Sequence, residues 1–122
     1  MTTRRLLPCL LALVLLAGCR AQYRASAKVL VDTNDSQPSQ ATINAEVQAL
    51  RDIAPAFVSA DWSYNVQHYA DTSLIEVSVT TPDPETSASQ CNQIVEKYVG
   101  ATNASVTRSV VEKATIPKER IR

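Results

Sequence analysis

Leu74-Ile75-Glu76-Val77-Ser78-Val79-Thr80, followed directly by Thr81-Pro82-Asp83-Pro84-Glu85, decides the fold of this chain. The first seven residues alternate apolar with polar. Ile75, Val77 and Val79 fall on one face and Glu76, Ser78 and Thr80 on the other, the pattern of a half-buried strand. Asp83 is placed to cap a helix, with Pro84 at its first position and Glu85 in its first turn. Beyond them Ala88, Cys91, Val95, Tyr98 and Val99 recur at helical spacing, with Ile94 beside them, so the pattern predicts a helix over 84–100. Gly100 loosens or ends it.

The same reading extends outward. Trp62 to His68 alternates, with Trp62, Tyr64 and Val66 on one side, and Tyr69 to Ser73 has the length of a hairpin connection. Upstream, Ile43, Val47, Leu50 and Ala54 predict an amphipathic helix over 41–53, capped by Ser39 or Thr42 and punctuated by Pro55. Residues 56–60 offer a further helical turn. Ala25, Ala27, Val29 and Val31 share one face of a first strand, which the turn-forming residues 33–39 end. A last strand is expected from about Val106 to Ala114, with Val106, Val110 and Ala114 inward. The order strand-helix-strand-strand-helix-strand predicts an α+β sandwich, its helices packed on one face of a small antiparallel or mixed sheet. The expected core holds Val29, Val31, Val47, Leu50, Ile75, Val77, Val79, Cys91, Val95 and Tyr98. No internal repeat or low-complexity segment appears.

The first 24 residues read differently. Arg4 and Arg5 precede an apolar run from Leu6 to Leu16, and Leu16-Ala17-Gly18-Cys19 closes it. A basic start, a short apolar run and small residues make a secretory signal. A cysteine directly after Leu-Ala-Gly resembles a bacterial lipobox, which implies cleavage before Cys19 and acylation of its thiol. The run is too short to span the ~20 apolar residues of a membrane helix, and Arg20 and Arg24 follow at once. Two or three acyl chains anchor stably where one is marginal. The expected organisation is a signal peptide over 1–18, a lipidated tether over 19–24, one α+β domain over 25–117 and a polar tail over 118–122.

Composition narrows the function. Cleavage leaves 104 residues, enough for one domain that buries roughly 65% of its unfolded-chain surface. Loss of Arg4 and Arg5 leaves 10 basic against 12 acidic residues, a net of −2, which is no nucleic-acid footprint. No lysine-rich cluster suits anionic lipid, so anchoring falls to the acyl group. Of three cysteines, Cys9 leaves with the signal, Cys19 is the lipid site and Cys91 remains alone, so no intramolecular disulfide forms in the mature chain. The only glycines, Gly18 and Gly100, exclude a phosphate-cradling loop. His68 is the lone histidine, without a cluster of metal-ligand spacing. Cys91 on a helix stripe reads as a small core residue, not a nucleophile. Capping accounts for Asp83 and Glu85. Trp62, Tyr64 and Tyr69 are the residue types of an aromatic sugar platform, though packing against a helix or shielding a sheet edge is the favoured reading. Neither catalysis, a cofactor nor a metal is expected.

Beside these readings, the mature chain resembles the periplasmic core of chain-length determinant proteins, the Wzz-like polysaccharide co-polymerases. Tyr23-Arg24-Ala25-Ser26-Ala27-Lys28-Val29-Leu30-Val31 is similar to the family's strand after the membrane anchor. Ile43-Asn44-Ala45-Glu46-Val47-Gln48-Ala49-Leu50-Arg51-Asp52 is similar to its first helix. The strand from Leu74 and the Asp83-Pro84-led helix, running on to Asn92 and Tyr98, are the most specific match. Val110-Val111-Glu112-Lys113-Ala114-Thr115-Ile116-Pro117 resembles the closing strand and its Ala-x-x-Pro exit. The chain departs from the family in having a lipid signal in place of the first membrane helix and in stopping at Arg122, where the second would begin. It also lacks the long helical arm that many members insert, here near Gly100 to Ser105.

The resemblance implies a non-enzymatic, lipid-anchored cell-envelope protein of O-antigen, capsule or exopolysaccharide biosynthesis, export or chain-length control. It would work as a homo-oligomer, or with the co-polymerase and polymerase machinery. The alternatives are a ring-forming or scaffold lipoprotein of another envelope assembly, and a small glycan-binding module. It would face the periplasm or exterior. Arg20 after Cys19 favours the outer membrane under enterobacterial-type sorting, whereas the family's usual place is the inner membrane.

Overall fold

A computed structural model describes residues 21–33, 38–101 and 106–121. Residues 1–20, with the expected signal segment and Cys19, and residues 34–37, 102–105 and 122 lie outside them. Strand β1 spans Tyr23–Thr33, helix α1 Gln40–Ile53, β2 Ser63–His68, β3 Leu74–Thr81, helix α2 Pro84–Gly100 and β4 Val106–Glu112. A single 3₁₀ turn, Ala54–Ala56, follows α1 with Pro55 inside it.

The four strands form one sheet in the order β2-β3-β1-β4, and every neighbouring pair is antiparallel. Because β3 lies between β1 and β2, each helix spans a split pair of strands, the double split β-α-β arrangement called ferredoxin-like. The sheet is wholly antiparallel, the first of the two forms expected, with both helices on one face.

Inward residues follow from the period of two. Ala25, Ala27, Val29 and Val31 of β1, Val66 of β2, and Ile75, Val77 and Val79 of β3 are all buried. Helix α1 lays Ile43 and Leu50 over the sheet, and α2 adds Ala88, Cys91, Ile94, Val95 and Tyr98. Of the ten expected core residues only Val47 is merely half-buried, because it borders an open groove between α1 and β2.

The caps match the sequence. Ser39 Oγ accepts the Thr42 amide and the Asp83 side chain accepts the Thr86 amide. At the β2–β3 connection Asp71 takes φ 63°, the left-handed state that Asp tolerates better than most residues. Thr72 braces this turn, donating through Oγ1 to the Tyr69 carbonyl at 2.7 Å and accepting the Leu74 amide at 3.2 Å.

Three boundaries differ from expectation. Strand β1 begins at Tyr23, inside the expected tether, since Tyr23 and Arg24 already pair with Thr81 and Thr80. Strand β4 ends at Glu112 because the register slips by one: Val29 faces Val110 but Lys28 faces Glu112, which leaves Val111 as a bulge. Ala114 is buried outside the sheet, under α2. The polar tail is not detached at its end, since the Ile121 amide donates to the Gln22 carbonyl at 2.7 Å.

Candidate functional site

The largest departure from the sequence reading is a buried ion pair. Glu46 projects from α1 and Arg108 from β4, with side chains 6% and 9% exposed. Arg108 Nε and Nη2 donate to Glu46 Oε1 and Oε2 at 3.0 and 2.7 Å, a two-pronged contact. Nη1 donates to the carbonyls of Tyr98 and Ala101, neutralising the carboxyl end of α2. The guanidinium stacks 4.2 Å from the centre of the Tyr98 ring. Its hydrogen bonds to Glu46 raise the already high pKa of Arg108, and burial raises that of Tyr98. Arg108 therefore pins α1, α2 and β4 at one point. The lone acid on the inner stripe of α1 and the lone base among the inward residues of β4 were the only signals in the sequence, and alternation alone does not reveal them.

Asn92 makes a second pin. Its Nδ2 donates to the Ala114 carbonyl at 3.0 Å, and its Oδ1 accepts the Ala114 amide at 2.9 Å. This side chain supplies the backbone partner that the chain loses on leaving the sheet. A third pin lies at the start of β1. Ser87 is fully buried, donates to the Tyr23 carbonyl at 2.7 Å and accepts the Thr81 amide at 3.1 Å, joining α2 to the ends of β1 and β3.

The singled-out residues do not converge. Trp62 packs against the core, and Tyr64, 37% exposed, pairs with Val79 on the helix side of edge strand β2. Tyr69 lies on the opposite, open face. There its hydroxyl donates to Glu76, which raises its pKa, and Lys28 sits 5.7 Å from its ring and 3.7 Å from Glu112. The three aromatics form no common sugar platform. His68 donates through Nε2 to the Thr72 carbonyl at 2.6 Å. Cys91 Sγ, buried, donates to the Val77 carbonyl, and burial pushes its thiol up to about 12. Among the described residues no three His, Cys, Asp or Glu side chains group to hold a metal ion, and no helix is long and apolar enough to cross a membrane.

Two surface depressions stand out among the described residues. One, about 220 Å³, lies on the open sheet face between Arg24, Asn65, Gln67, Glu76, Ser78 and Thr80. The other, about 440 Å³, runs between α1 and β2 and is lined by Asn44, Gln48, Arg51, Gln67 and His68 over Val47 and Val66. Arg51 Nη2 reaches the Val66 carbonyl at 3.4 Å across it.

No family model and no curated protein matches the chain. Among solved structures it is similar to a C-terminal segment of the alpha subunit of aIF2 from Pyrococcus abyssi, with 13% identity, a TM-score of 0.59, and coverage of 76% of this chain and 51% of that one. It is also similar to the intact alpha subunit of aIF2 from Pyrococcus abyssi, at 14% identity and a TM-score of 0.55, covering 77% of this chain and 36% of that one. The chain spans about half and about a third of those two lengths. At such identities the likeness is one of fold alone.

Proposed function

We propose that this protein is a lipid-anchored, non-enzymatic envelope protein that acts by association in polysaccharide export or chain-length control. The observation that carries the reading is where the residues of the family-like motifs fall. Glu46 and Tyr98 meet through Arg108, and Asn92 holds Ala114 by both its backbone groups. Four residues from three separate motif segments thus occupy the pins that set the helices against β4.

The placement of the ends supports the same reading. Gln22, three residues beyond the candidate lipid site Cys19, is bonded to Ile121. Strand β4 starts at Val106, which faces Thr33 at the end of β1 remote from Gln22. Many chain-length determinants carry their helical arm just before the closing strand, so we read this end of the sheet as the one that meets partners. Tethering on a membrane raises effective concentration, which lets modest contacts assemble there.

Two measurements test the assignment. Wild-type protein should take up labelled fatty acid and fractionate with membranes, and Cys19→Ser should do neither. Deletion of the gene should shift the size distribution of surface or exported polysaccharide on a gel, with cross-linking in the wild type yielding an oligomer or a co-polymerase adduct. An unchanged polymer with a cross-linked oligomer retained would move the assignment to a scaffold lipoprotein of another envelope assembly.

A further inference from the structure

We propose that the groove between α1 and β2 binds an anionic sugar unit of a polysaccharide chain. This inference rests on the polysaccharide reading above and adds to it a site and a ligand class.

The groove volume, about 440 Å³, falls within the ~300–1,000 Å³ common for small-ligand sites. Asn44, Gln48 and Arg51 stand at spacings of four and three along one flank of α1, which puts them in a row. His68 of the edge strand, paired with Ile75 on the helix side, forms the facing wall, whereas Gln67, paired with Glu76, turns its side chain to the open face. Carboxamides both donate and accept, so this lining suits the mixed hydroxyl pattern of a sugar. Val47 and Val66 form a small apolar floor, fitted to the C–H face of a pyranose ring.

The charge of the groove selects the class. No carboxylate lines it, and Arg51 is its one permanently charged side chain. Asp52, on the same helix, accepts a bond from Gln48 at 2.8 Å and lies outside the lining. The contact of Arg51 Nη2 with the Val66 carbonyl turns the guanidinium across the groove, and it engages one of five donors. The remaining fork is matched to a carboxylate. The depression on the open sheet face lacks this selectivity, because Arg24 and Glu76 both line it. A peptide strand added to β2 would instead call for alternating side-chain pockets, which two valines do not supply.

The test is an amide-resolved NMR titration of the full chain in detergent micelles with tetragalacturonate, against neutral maltotetraose and tetraglutamate peptide. Tetragalacturonate should shift the side-chain amides of Asn44 and Gln48 and leave those of Asn65 and Gln67, on the open face, unmoved. Arg51→Glu at this exposed position should weaken binding about 10-fold or more with dispersion of the spectrum retained, as expected for loss of a charge-assisted bond. Gln48→Ala should weaken it by a smaller factor. Absence of shifts in the groove, or equal shifts with maltotetraose, overturns the proposal. Equal shifts with tetraglutamate overturn it in favour of a general acidic-peptide site. A null titration beside an altered polymer length in the deletion strain removes the groove and leaves the function standing.

Discussion

Glu46 on α1 and Arg108 on β4 stand 62 positions apart in the chain and meet in a two-pronged ion pair shielded from water. Desolvating two charges is expensive, and the pair holds because the leftover donors of Arg108 find the end of α2. Its value lies in fixing which way the helices lie on the sheet.

Removing one partner should therefore hurt more than removing both. Arg108→Ala strands a buried carboxylate and should cost about 3–5 kcal/mol, whereas a Glu46→Leu, Arg108→Met double variant should recover most of that loss. Urea midpoints of the two variants decide the matter. Equal midpoints would show that the pair contributes only as bulk.

The central strand gives a harsher test. Val77 is fully buried on β3, between β2 and β1, and its carbonyl takes the Cys91 thiol. Val77→Asp buries an unpaired charge and should abolish the cooperative thermal transition. A melting temperature like that of the wild type would mean the strand faces the other way.

Asn92 predicts a local effect. Asn92→Ala leaves the Ala114 amide and carbonyl without partners and should cost about 1–3 kcal/mol. Hydrogen exchange at the Ala114 amide should quicken more than at Val79, which belongs to the central ladder. Uniform quickening would instead mark a global loss.

Alkaline pH provides a titration. Burial raises the Cys91 thiol from its ordinary 9.0 to about 12 and raises Tyr98 in the same direction. A raised pKa on a group that is neutral in the fold means its contribution is intact below pH 9 and declines as pH climbs toward 12. Stability measured from pH 7 to 11 should be flat and then fall, and Cys91→Val should fall less steeply. Identical slopes would remove the thiol from the account.

Much of this fold was legible because its elements are locally consistent. The Ile75-Val77-Val79 alternation and the Asp83-Pro84 start each point to one structure by more than one signal. What escaped were features that depend on distant partners. The bulge at Val111 breaks the alternation that placed Ala114 on a strand face. Glu46 and Arg108 are single charges on otherwise apolar inward faces, and only the topology pairs them. The aromatic residues were harder still, because Tyr64 and Tyr69 are near in sequence yet lie on opposite faces of the sheet. The groove at Arg51 joins a helix flank to an edge strand, and only their packing creates it.

The place of β1 in the sheet has a consequence in time. Val29 pairs with Ile75 and Val110, 46 and 81 positions later, so the earliest strand must wait for the latest residues. Such distant pairing slows folding. In any chain made amino end first, β1 emerges with neither neighbour present. The sheet can close around it only once the last strand has arrived, so the first strand completed is the last one to be paired on both edges.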